Sequence, residues 1–448
     1  MNRLFFANEK QTSVILGEEE MKKAGDVYVI GSYSTRFKKW LDKSMKDLTR
    51  DTFLGVLEDA GMKDGRDIEF TWFGNCAMGA LWDQHCIRGQ VCISPLVEEG
   101  LFPERIPIIN VEGACATASM AFHGAWKDIL SGQCDVSLAM GVDKFYHPDM
   151  ERVLFAYEQG IDRIDKERLV QEYQAVAKEC GREFKLGPGH TIFMDTYAMQ
   201  ACWHMWRYGT TQRQIATAAS KNHHNGSLNP KAQYQFEVPL EKVMEDYLVS
   251  YPLTRSMCAP IGDGGAAALL CSEDYFKGLP NKVKERAVNV KASVMASGKH
   301  RSISEPSLSQ WAAERAYHMA GIGPQDVHVG EVHDATAFCE IYQSEMLGFC
   351  PIGEGGRFIE SGATALGGSI PLNTSGGLVS KGHPVGSTGL SMIYEIVTQL
   401  RGEAGPRQVS KARVGITENG GGVISTEEFA CSIILLESLS LTGLHLRD

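Results

Sequence analysis

The sequence predicts an α/β fold made of two similar halves, with a large insertion in the first half. Apolar runs typical of β-strands alternate with amphipathic helical stretches before and after the insertion. The alternation is lost between about residues 146 and 257, a region rich in His, Tyr, Trp and Gln. Each half also contains a strand that leads into a helix of mostly small residues, which indicates an internal duplication.

The predicted elements follow in chain order. The first are the strand Val27–Gly31, the helix Met45–Ala60 and the strands Phe70–Gly74, Ile106–Asn110 and Val136–Asp143. After the insertion come the strands Pro260–Leu270, Val288–Val294, Val327–Val332, Val414–Ile416 and Phe429–Leu436. We expect an N-terminal extension at 1–26, a first half at 27–287 that holds the inserted domain at about 146–257, and a second half at 288–448.

Charge and cysteine usage exclude several classes of protein. The formal net charge of -11 over 448 residues argues against a surface for nucleic acid or for an anionic membrane. The twelve cysteines include no Cys-x-x-Cys pair, so the sequence predicts neither a zinc ribbon nor a disulfide scaffold. There is no recognisable signal peptide and no uninterrupted run of about 18 apolar residues. We predict a cytoplasmic protein with small-molecule ligands, no membrane span and no bound metal.

Cys115 lies in the stretch GACATAS, which follows a predicted strand and opens a helix of small residues. The positive end of a helix dipole lowers the pKa of a thiol placed there, especially beside a histidine. Cys115 is therefore a candidate nucleophile, although on the local sequence alone a small buried residue is the more frequent case.

Two histidines lie at comparable positions. His383 belongs to a Gly-His-Pro stretch in the second half, and His333 follows the predicted strand that ends at Val332. With a cysteine they make up a Cys/His set suited to acyl transfer. Each histidine alone is more often a structural hydrogen-bonding residue.

Six stretches, spread over about residues 27–436, carry a family resemblance. They are GACATAS around Cys115, KNHHNGSLNP at 221–230, PIGDGGAAALL at 260–270, EVHDA at 331–335, SGGLVSKGHPVGSTG at 375–389 and QLRGEAGPRQV at 399–409. They resemble motifs of the thiolase superfamily, most closely those of the sterol-carrier-protein-2-type thiolases. The resemblance implies the five-layered αβαβα thiolase fold with two similar halves, an inserted loop domain and a homodimer.

The resemblance also implies roles for the site residues. Cys115 would carry the acyl group as a thioester, while His383 would accept the thiol proton and, with His333, bind the thioester oxygen of the second substrate. Backbone N–H groups of Cys115 and of a glycine in the 420–422 run, such as Gly420 or Gly421, would form the oxyanion hole. The expected reaction is cleavage of a 3-oxoacyl-CoA by CoA, or the reverse Claisen condensation, with CoA as a substrate and no further cofactor.

The chain departs from the family at the acid/base that serves the substrate α-carbon. Ala335 stands where sterol-carrier-type thiolases have a cysteine, and Glu418 in ITENGGGVIS stands where other thiolases have another. Three interpretations of Glu418 are open. It is a replacement acid/base with a raised pKa, or a loop carboxylate that fixes the turn without proton transfer. In the third interpretation it supports the site residues from behind. Cys339 is a weaker substitute.

This departure leaves other functions open. They are a thiolase-like retro-aldolase, a C-acyltransferase with a non-CoA acceptor, and a non-catalytic subunit that binds acyl-CoA. Some relatives without the cysteine work with a small zinc-ribbon and OB-fold partner, and no such module is recognisable in this sequence.

The insertion is the expected wall of the acyl-CoA site. Its Trp203, Trp206, Tyr208 and Phe236 suit either a branched or aromatic acyl pocket or ordinary packing.

Overall fold

The computed structural model describes residues 25–439, so the predicted N-terminal extension lies almost wholly outside the described residues. Its strands are β1 (Val27–Ser34), β2 (Phe70–Gly74), β3 (Ile108–Val111), β4 (Val136–Lys144), β5 (Leu248–Ser250), β6 (Leu253–Thr254), β7 (Asp263–Ser272), β8 (Val288–Ser297), β9 (Val329–Val332), β10 (Val414–Gly421) and β11 (Ala430–Ser438). Its α-helices are α1 (Met45–Ala60), α2 (Ala77–Trp82), α3 (Arg88–Glu98), α4 (Thr117–Leu130), α5 (Met150–Glu158), α6 (Lys166–Glu179), α7 (Ile192–Tyr208), α8 (Gln212–Ser227), α9 (Leu240–Glu245), α10 (Glu273–Gly278), α11 (Asn281–Lys284), α12 (Leu308–Ala320), α13 (Ala337–Met346), α14 (Gly355–Glu360), α15 (Gly377–Lys381) and α16 (Thr388–Leu400).

The main sheet has the strand order β3-β2-β4-β7-β1-β8-β11-β10-β9. The central pairing of β1 with β8 is antiparallel and short, and it joins the two halves of the chain. On each side of this junction the next two pairings are antiparallel and the following one is parallel. An isolated parallel bridge from Gly330 to Leu372 matches the outer pairing of β2 with β3. This matched order confirms the two similar halves.

Three apolar clusters hold five layers together. Helices α1 and α3 cover one face of the first-half strands, α12 covers one face of the second-half strands, and α4 and α16 lie between the other two faces. In β7, Ala268 and Leu270 contact the central helices, whereas Leu269 and Cys271 face α1 and α3. A strand buried on both faces reads as a continuous apolar run, which is why these strands are recognisable in the sequence. The expected five-layered αβαβα fold is confirmed.

The two central helices approach each other closely because small residues lie between them. A side chain at Gly389 in α16 would clash with Ser119 in α4, and Ser119 Oγ donates a hydrogen bond of 2.8 Å to Asn419 Oδ1. The helices begin at Thr117 and Thr388. The segments that precede them, which carry Cys115 and His383, meet as a result.

The insertion between β4 and β7 consists of α5 to α9 and the hairpin β5–β6. Its apolar cluster, built around residues such as Tyr173 and Ile215, continues onto Phe338 of α13, so the insertion packs on the second half as well. The domain bounds given above stay a prediction. None of the helices in residues 25–439 is long and apolar enough to cross a membrane.

Two strands differ from their predicted limits. β3 begins at Ile108 and not at Ile106, because Pro107 has no N–H to donate to the ladder. β10 continues from Val414 to Gly421, so Glu418 belongs to a strand and not to a turn. The glycines hide this strand from sequence analysis because they carry no strand preference of their own. β10 nevertheless forms a strand, because it pairs with β11 along its whole length and its first half pairs with β9.

Candidate active site

Cys115 lies in the tight turn between β3 and α4 and lines a cavity of about 690 Å³. The turn is closed by hydrogen bonds of 3.1 Å from Ala116 N to Gly113 O and from Thr117 N to Ala114 O. Ala114 has a φ of 50°, a left-handed conformation that a residue with a Cβ adopts only at a cost. Such local strain is frequent where a structure must hold a reactive side chain in one place.

Cys115 and His383 form a hydrogen-bonded pair with a defined proton arrangement. Cys115 Sγ lies 3.2 Å from His383 Nε2, and His383 Nδ1 lies 2.6 Å from Thr388 Oγ1. The Thr388 hydroxyl donates to Pro384 O at 2.9 Å, so its oxygen is left to accept from His383 Nδ1–H. The lone pair of His383 therefore lies on Nε2, where it accepts the thiol proton of Cys115.

The pKa shifts of this pair favour its neutral state. Burial raises the pKa of the Cys115 thiol to about 12, and burial lowers the pKa of His383 well below its usual 6.5. The expectation of a lowered thiol pKa is therefore wrong, because loss of hydration outweighs the N–H groups that favour the thiolate. The pair has a neutral thiol beside a neutral base, so the proton can move to His383 when the sulfur attacks an electrophile.

The late glycines bring backbone N–H groups to the sulfur. The N–H groups of Gly422 and of Cys115 itself lower the pKa of the Cys115 thiol, since they favour a negative charge on Sγ. Gly421 lines the cavity, and a side chain on it would clash with the turn that holds Cys115. A Cβ at Gly420 would lie 2.7 Å from Cγ of Glu428. Gly422 is thus the glycine whose N–H affects the sulfur, and the glycine that completes the oxyanion hole stays a prediction.

His333 follows β9 and faces the same point. Its ring centroid lies 5.3 Å from that of His383, and one of its ring nitrogens lies within 4.8 Å of both Cys115 Sγ and a His383 nitrogen. The side chain is buried, and its Nε2 has no hydrogen-bond partner within residues 25–439. Burial lowers the pKa of His333 to about 4, so this ring is neutral. The structure brings all three predicted side chains together.

Glu418 lies behind His333. Its Oε2 accepts the backbone N–H of His333 at 3.1 Å, its Oε1 accepts from Ser309 Oγ at 3.2 Å, and Cys431 Sγ is 3.8 Å from Oε1. Burial and the nearby Glu428 raise the pKa of Glu418 to about 8. Among the described residues, those that line the cavity do not include Glu418. These contacts favour the interpretation in which Glu418 supports the site from behind.

Glu418→Gln is expected to change how the free energy of unfolding depends on pH. The pKa of Glu418 in the folded protein exceeds its unfolded value of about 4.3, so the folded state binds this proton more tightly. Stability from this group is complete below about pH 4 and falls as pH rises toward 8. The variant lacks this loss and gains stability relative to the wild type across that window, as measured by urea unfolding. An equal pH dependence of the two proteins would contradict the buried, proton-binding carboxyl.

Other buried carboxyls fix the loops of the site, and sequence analysis missed them. Asp334 accepts the N–H of Leu378 at 2.6 Å and the amide of Asn222 at 2.8 Å. Asp143 accepts the N–H of Gly386 at 2.7 Å, and burial raises the pKa of Asp143 to about 7. The signal in the sequence was an acidic residue at the end of an apolar strand. A carboxyl buried there without a hydrogen-bond partner would be costly, so a partner was to be expected.

The rest of the cavity wall comes from the insertion and its neighbours, and it is mostly apolar, with the polar residues Glu112, Gln159, His190, Thr191 and Arg255 also lining it. It includes Phe145, Met150, Leu154, Tyr157, Phe193, Met194, Tyr197, Val249, Ile261 and Phe429. The four aromatic residues singled out in the sequence are not among the lining residues: Trp203 packs on Tyr208, while Trp206 and Phe236 are about half exposed. Cys339 is buried on α13 beside Thr336 Oγ1. Because the wall draws on many elements, no periodic pattern in the sequence marks it.

Two family models match the chain. The model described as "Thiolase, N-terminal domain" matches residues 27–249, and the model described as "Thiolase C-terminal domain-like" matches residues 294–435. Among solved structures, an Ltp2-ChsH2(DUF35) aldolase has a TM-score of 0.71 at 19% identity and covers 94% of this chain and 100% of its own. The Acat5 thiolase from Ascaris suum in complex with coenzyme A has a TM-score of 0.62 at 16% identity and covers 92% and 100%. These two likenesses show the fold alone.

Several relatives match over most of their length. An acetyl-CoA acetyltransferase of Methanothermobacter thermautotrophicus is 38% identical over 90% of this chain and 97% of its own. Sterol carrier protein 2 of Bos taurus is 35% identical over 89% and 71%, and the benzoylsuccinyl-CoA thiolase subunit BbsB of Thauera aromatica is 30% identical over 90% and 96%. The chain belongs to the thiolase family, with relatives of the sterol-carrier-protein-2 type, and is an acyltransferase of the acetyl-CoA acetyltransferase class.

Proposed function

We propose that this thiolase cleaves a 3-oxoacyl-CoA with CoA, or runs the reverse Claisen condensation, through an acyl-enzyme on Cys115. The observation that carries the proposal is the 3.2 Å contact between Cys115 Sγ and His383 Nε2 at the wall of a mostly apolar cavity. A retro-aldolase needs no such nucleophile, and neither does a subunit that only binds acyl-CoA. The retained pair therefore supports acyl transfer over both.

In the cleavage direction, Cys115 Sγ attacks the 3-keto carbon while its proton moves to His383 Nε2. The bond between the α-carbon and the keto carbon then breaks, and its electron pair passes to the α-carbon, which takes up a proton as acetyl-CoA or a substituted acetyl-CoA leaves. The thiol of CoA loses its proton and attacks the remaining thioester, the shortened acyl-CoA leaves, and Cys115 Sγ takes up a proton again. The N–H groups of Cys115 and Gly422 are suited to the oxyanion of the acyl-enzyme steps, at about 3 kcal/mol for each donor. His333 Nε2 is suited to the enolate oxygen.

We further propose that Glu418 holds the His333 segment in place and does not itself exchange the α-proton. Glu418→Gln keeps an acceptor for the His333 N–H and is expected to slow α-proton exchange of bound acyl-CoA by less than about 10-fold. Glu418→Ala removes that acceptor and is expected to slow it more than Gln does. A loss of about 10² to 10⁴-fold in the Gln variant would identify Glu418 as the acid/base instead.

For the substrate, we propose an aromatic or branched acyl chain. Six Phe and Tyr side chains line the cavity, namely Phe145, Tyr157, Phe193, Tyr197, Tyr247 and Phe429, and they offer a ring the edge and face contacts that it prefers. The relative BbsB is named for an aromatic thioester, which agrees with this choice. Burial of a ring contributes about 2 kcal/mol beyond a methyl group, or more than 10-fold in kcat/KM.

A panel of straight, branched and aromatic 3-oxoacyl-CoAs tests the function and the substrate class together. We expect cleavage to require CoA and kcat/KM for an aromatic substrate to exceed that for acetoacetyl-CoA by about 10-fold or more. A preference for acetoacetyl-CoA would contradict the substrate class. Cleavage that proceeds equally well without CoA would contradict thiolysis and indicate aldol chemistry.

We propose a homodimer that forms through the edge strand β3. Within residues 25–439 this strand pairs with β2 alone, and Ile109 on it is partly exposed. An unpaired edge that carries an apolar side chain favours pairing with a second chain.

Light scattering on the purified chain measures its mass, and copurification from the native source tests for a small zinc-ribbon and OB-fold partner. Both partners and the cytoplasmic location stay predictions.

A further inference from the structure

We propose that Cys115, His333 and His383 also form a binding site for Zn²⁺, which would block the nucleophile reversibly. Each residue offers one ligand atom, and the three atoms lie within 4.8 Å of one another at the wall of the cavity. One thiolate and two imidazoles are a ligand set that Zn²⁺ prefers. The proposed acyl transfer uses no metal, so an ion here would be an inhibitor and not a cofactor.

The distances suit a tetrahedral ion after small side-chain rotations. With Zn–S of about 2.3 Å and Zn–N of about 2.0 to 2.1 Å, the ligand atoms of a tetrahedral site lie roughly 3.3 to 3.6 Å apart. The pair Cys115 Sγ and His383 Nε2 is at 3.2 Å. The widest separation in the set is at most 4.8 Å, which is at most about 1.5 Å too long. Three protein ligands leave the fourth position open to the cavity, where a water molecule can complete the shell.

The hydrogen bonds around the two histidines leave Nε2 of each ring available to a metal ion. Thr388 Oγ1 accepts from Nδ1–H of His383, which fixes the ring and leaves Nε2 as the donor atom for a metal. Nε2 of His333 is buried and has no partner among the described residues, which is costly for a polar atom unless a ligand meets it.

The positive charge beside the site is paired with a carboxylate, so it repels a bound cation less. Lys381 is a fixed positive charge that affects His383, and it pairs with Glu331 at 3.3 Å. Binding forms the Zn–S bond and releases the proton of the Cys115 thiol to solvent, so one positive charge remains of the two that the ion brings. Because a proton leaves, the affinity is expected to rise with pH.

The test is metal binding by the purified chain after treatment with a chelator. In equilibrium dialysis against chelator-buffered ZnCl₂ we expect one tightly held Zn²⁺ per chain, and with CoCl₂ a thiolate-to-cobalt charge-transfer band. Cys115→Ser and His333→Gln are each expected to weaken binding at least about 100-fold. His190→Gln, which changes another histidine of the cavity lining, is the matched control and is expected to bind as the wild type does.

Two results would overturn the proposal: no saturable Zn²⁺ binding, or binding that survives both ligand substitutions and therefore belongs to other thiols. A further arm rests on the proposed function. Prior acylation with an acyl-CoA occupies Cys115 Sγ and is expected to prevent Zn²⁺ binding. If the ligand variants lose the metal but acyl-CoA gives no protection, the metal site stands and the acyl-enzyme on Cys115 is contradicted.

Discussion

Cys115→Ala is expected to lower kcat/KM for CoA-dependent cleavage of a 3-oxoacyl-CoA by at least about 10⁴-fold. The substitution removes the atom that forms the thioester and leaves a small side chain in the same turn. The backbone N–H of residue 115 and that of Gly422 remain, so some substrate binding should survive. Steady-state kinetics with the best substrate of the panel measure the loss.

Cys86→Ala is the matched control for the nucleophile, since Cys86 is an exposed thiol away from the cavity lining. We expect this variant to retain wild-type kinetics. Circular dichroism on both proteins separates loss of chemistry from loss of fold. If Cys115→Ala retained more than about a hundredth of the wild-type kcat/KM, covalent catalysis by Cys115 would be wrong.

His383→Gln is expected to lower kcat by about 10² to 10⁴-fold at pH 7, because no base remains beside the thiol. The pH profile should change as well. The thiol of Cys115 has its pKa raised to about 12, so without the base the reaction depends on the small thiolate fraction. Below that pKa this fraction grows 10-fold with each pH unit, and the residual rate of the variant should rise nearly as steeply.

Two other substitutions sharpen this result. Thr388→Val removes the acceptor that fixes the ring of His383, and about a 10-fold loss is expected, less than that of His383→Gln. His318→Gln changes an exposed histidine on α12 and is expected to leave the kinetics unchanged. A flat pH profile for His383→Gln would contradict its role as the base for Cys115.

The fold was largely predictable because its strands are buried on both faces and its central helices need small residues. Those requirements leave long apolar runs and the small-residue segments after Cys115 and His383, and both are local in the sequence. The limits of β10 were not predictable. TENGG has no strand preference by itself, and only its neighbours β9 and β11 in the sheet make it a strand.

Some features of the active site were predictable from the sequence and others were not, as for the fold. Cys115, His333 and His383 were predictable because each lies at the end of an element within a distinctive stretch. The pKa of Cys115 was not, because it depends on how completely the insertion and the second half exclude water. The choice of glycine within the 420–422 run and the aromatic lining of the cavity depend on distances between segments far apart in the chain, which no local pattern records.

The central claim is that Cys115 carries the acyl group. Incubation with an acyl-CoA labelled in its acyl chain, followed by proteolysis and mass spectrometry, tests it most directly. We predict one labelled peptide that contains Cys115, linked as a thioester that added CoA removes. A label on any other residue, or no label under conditions of turnover, would contradict the account.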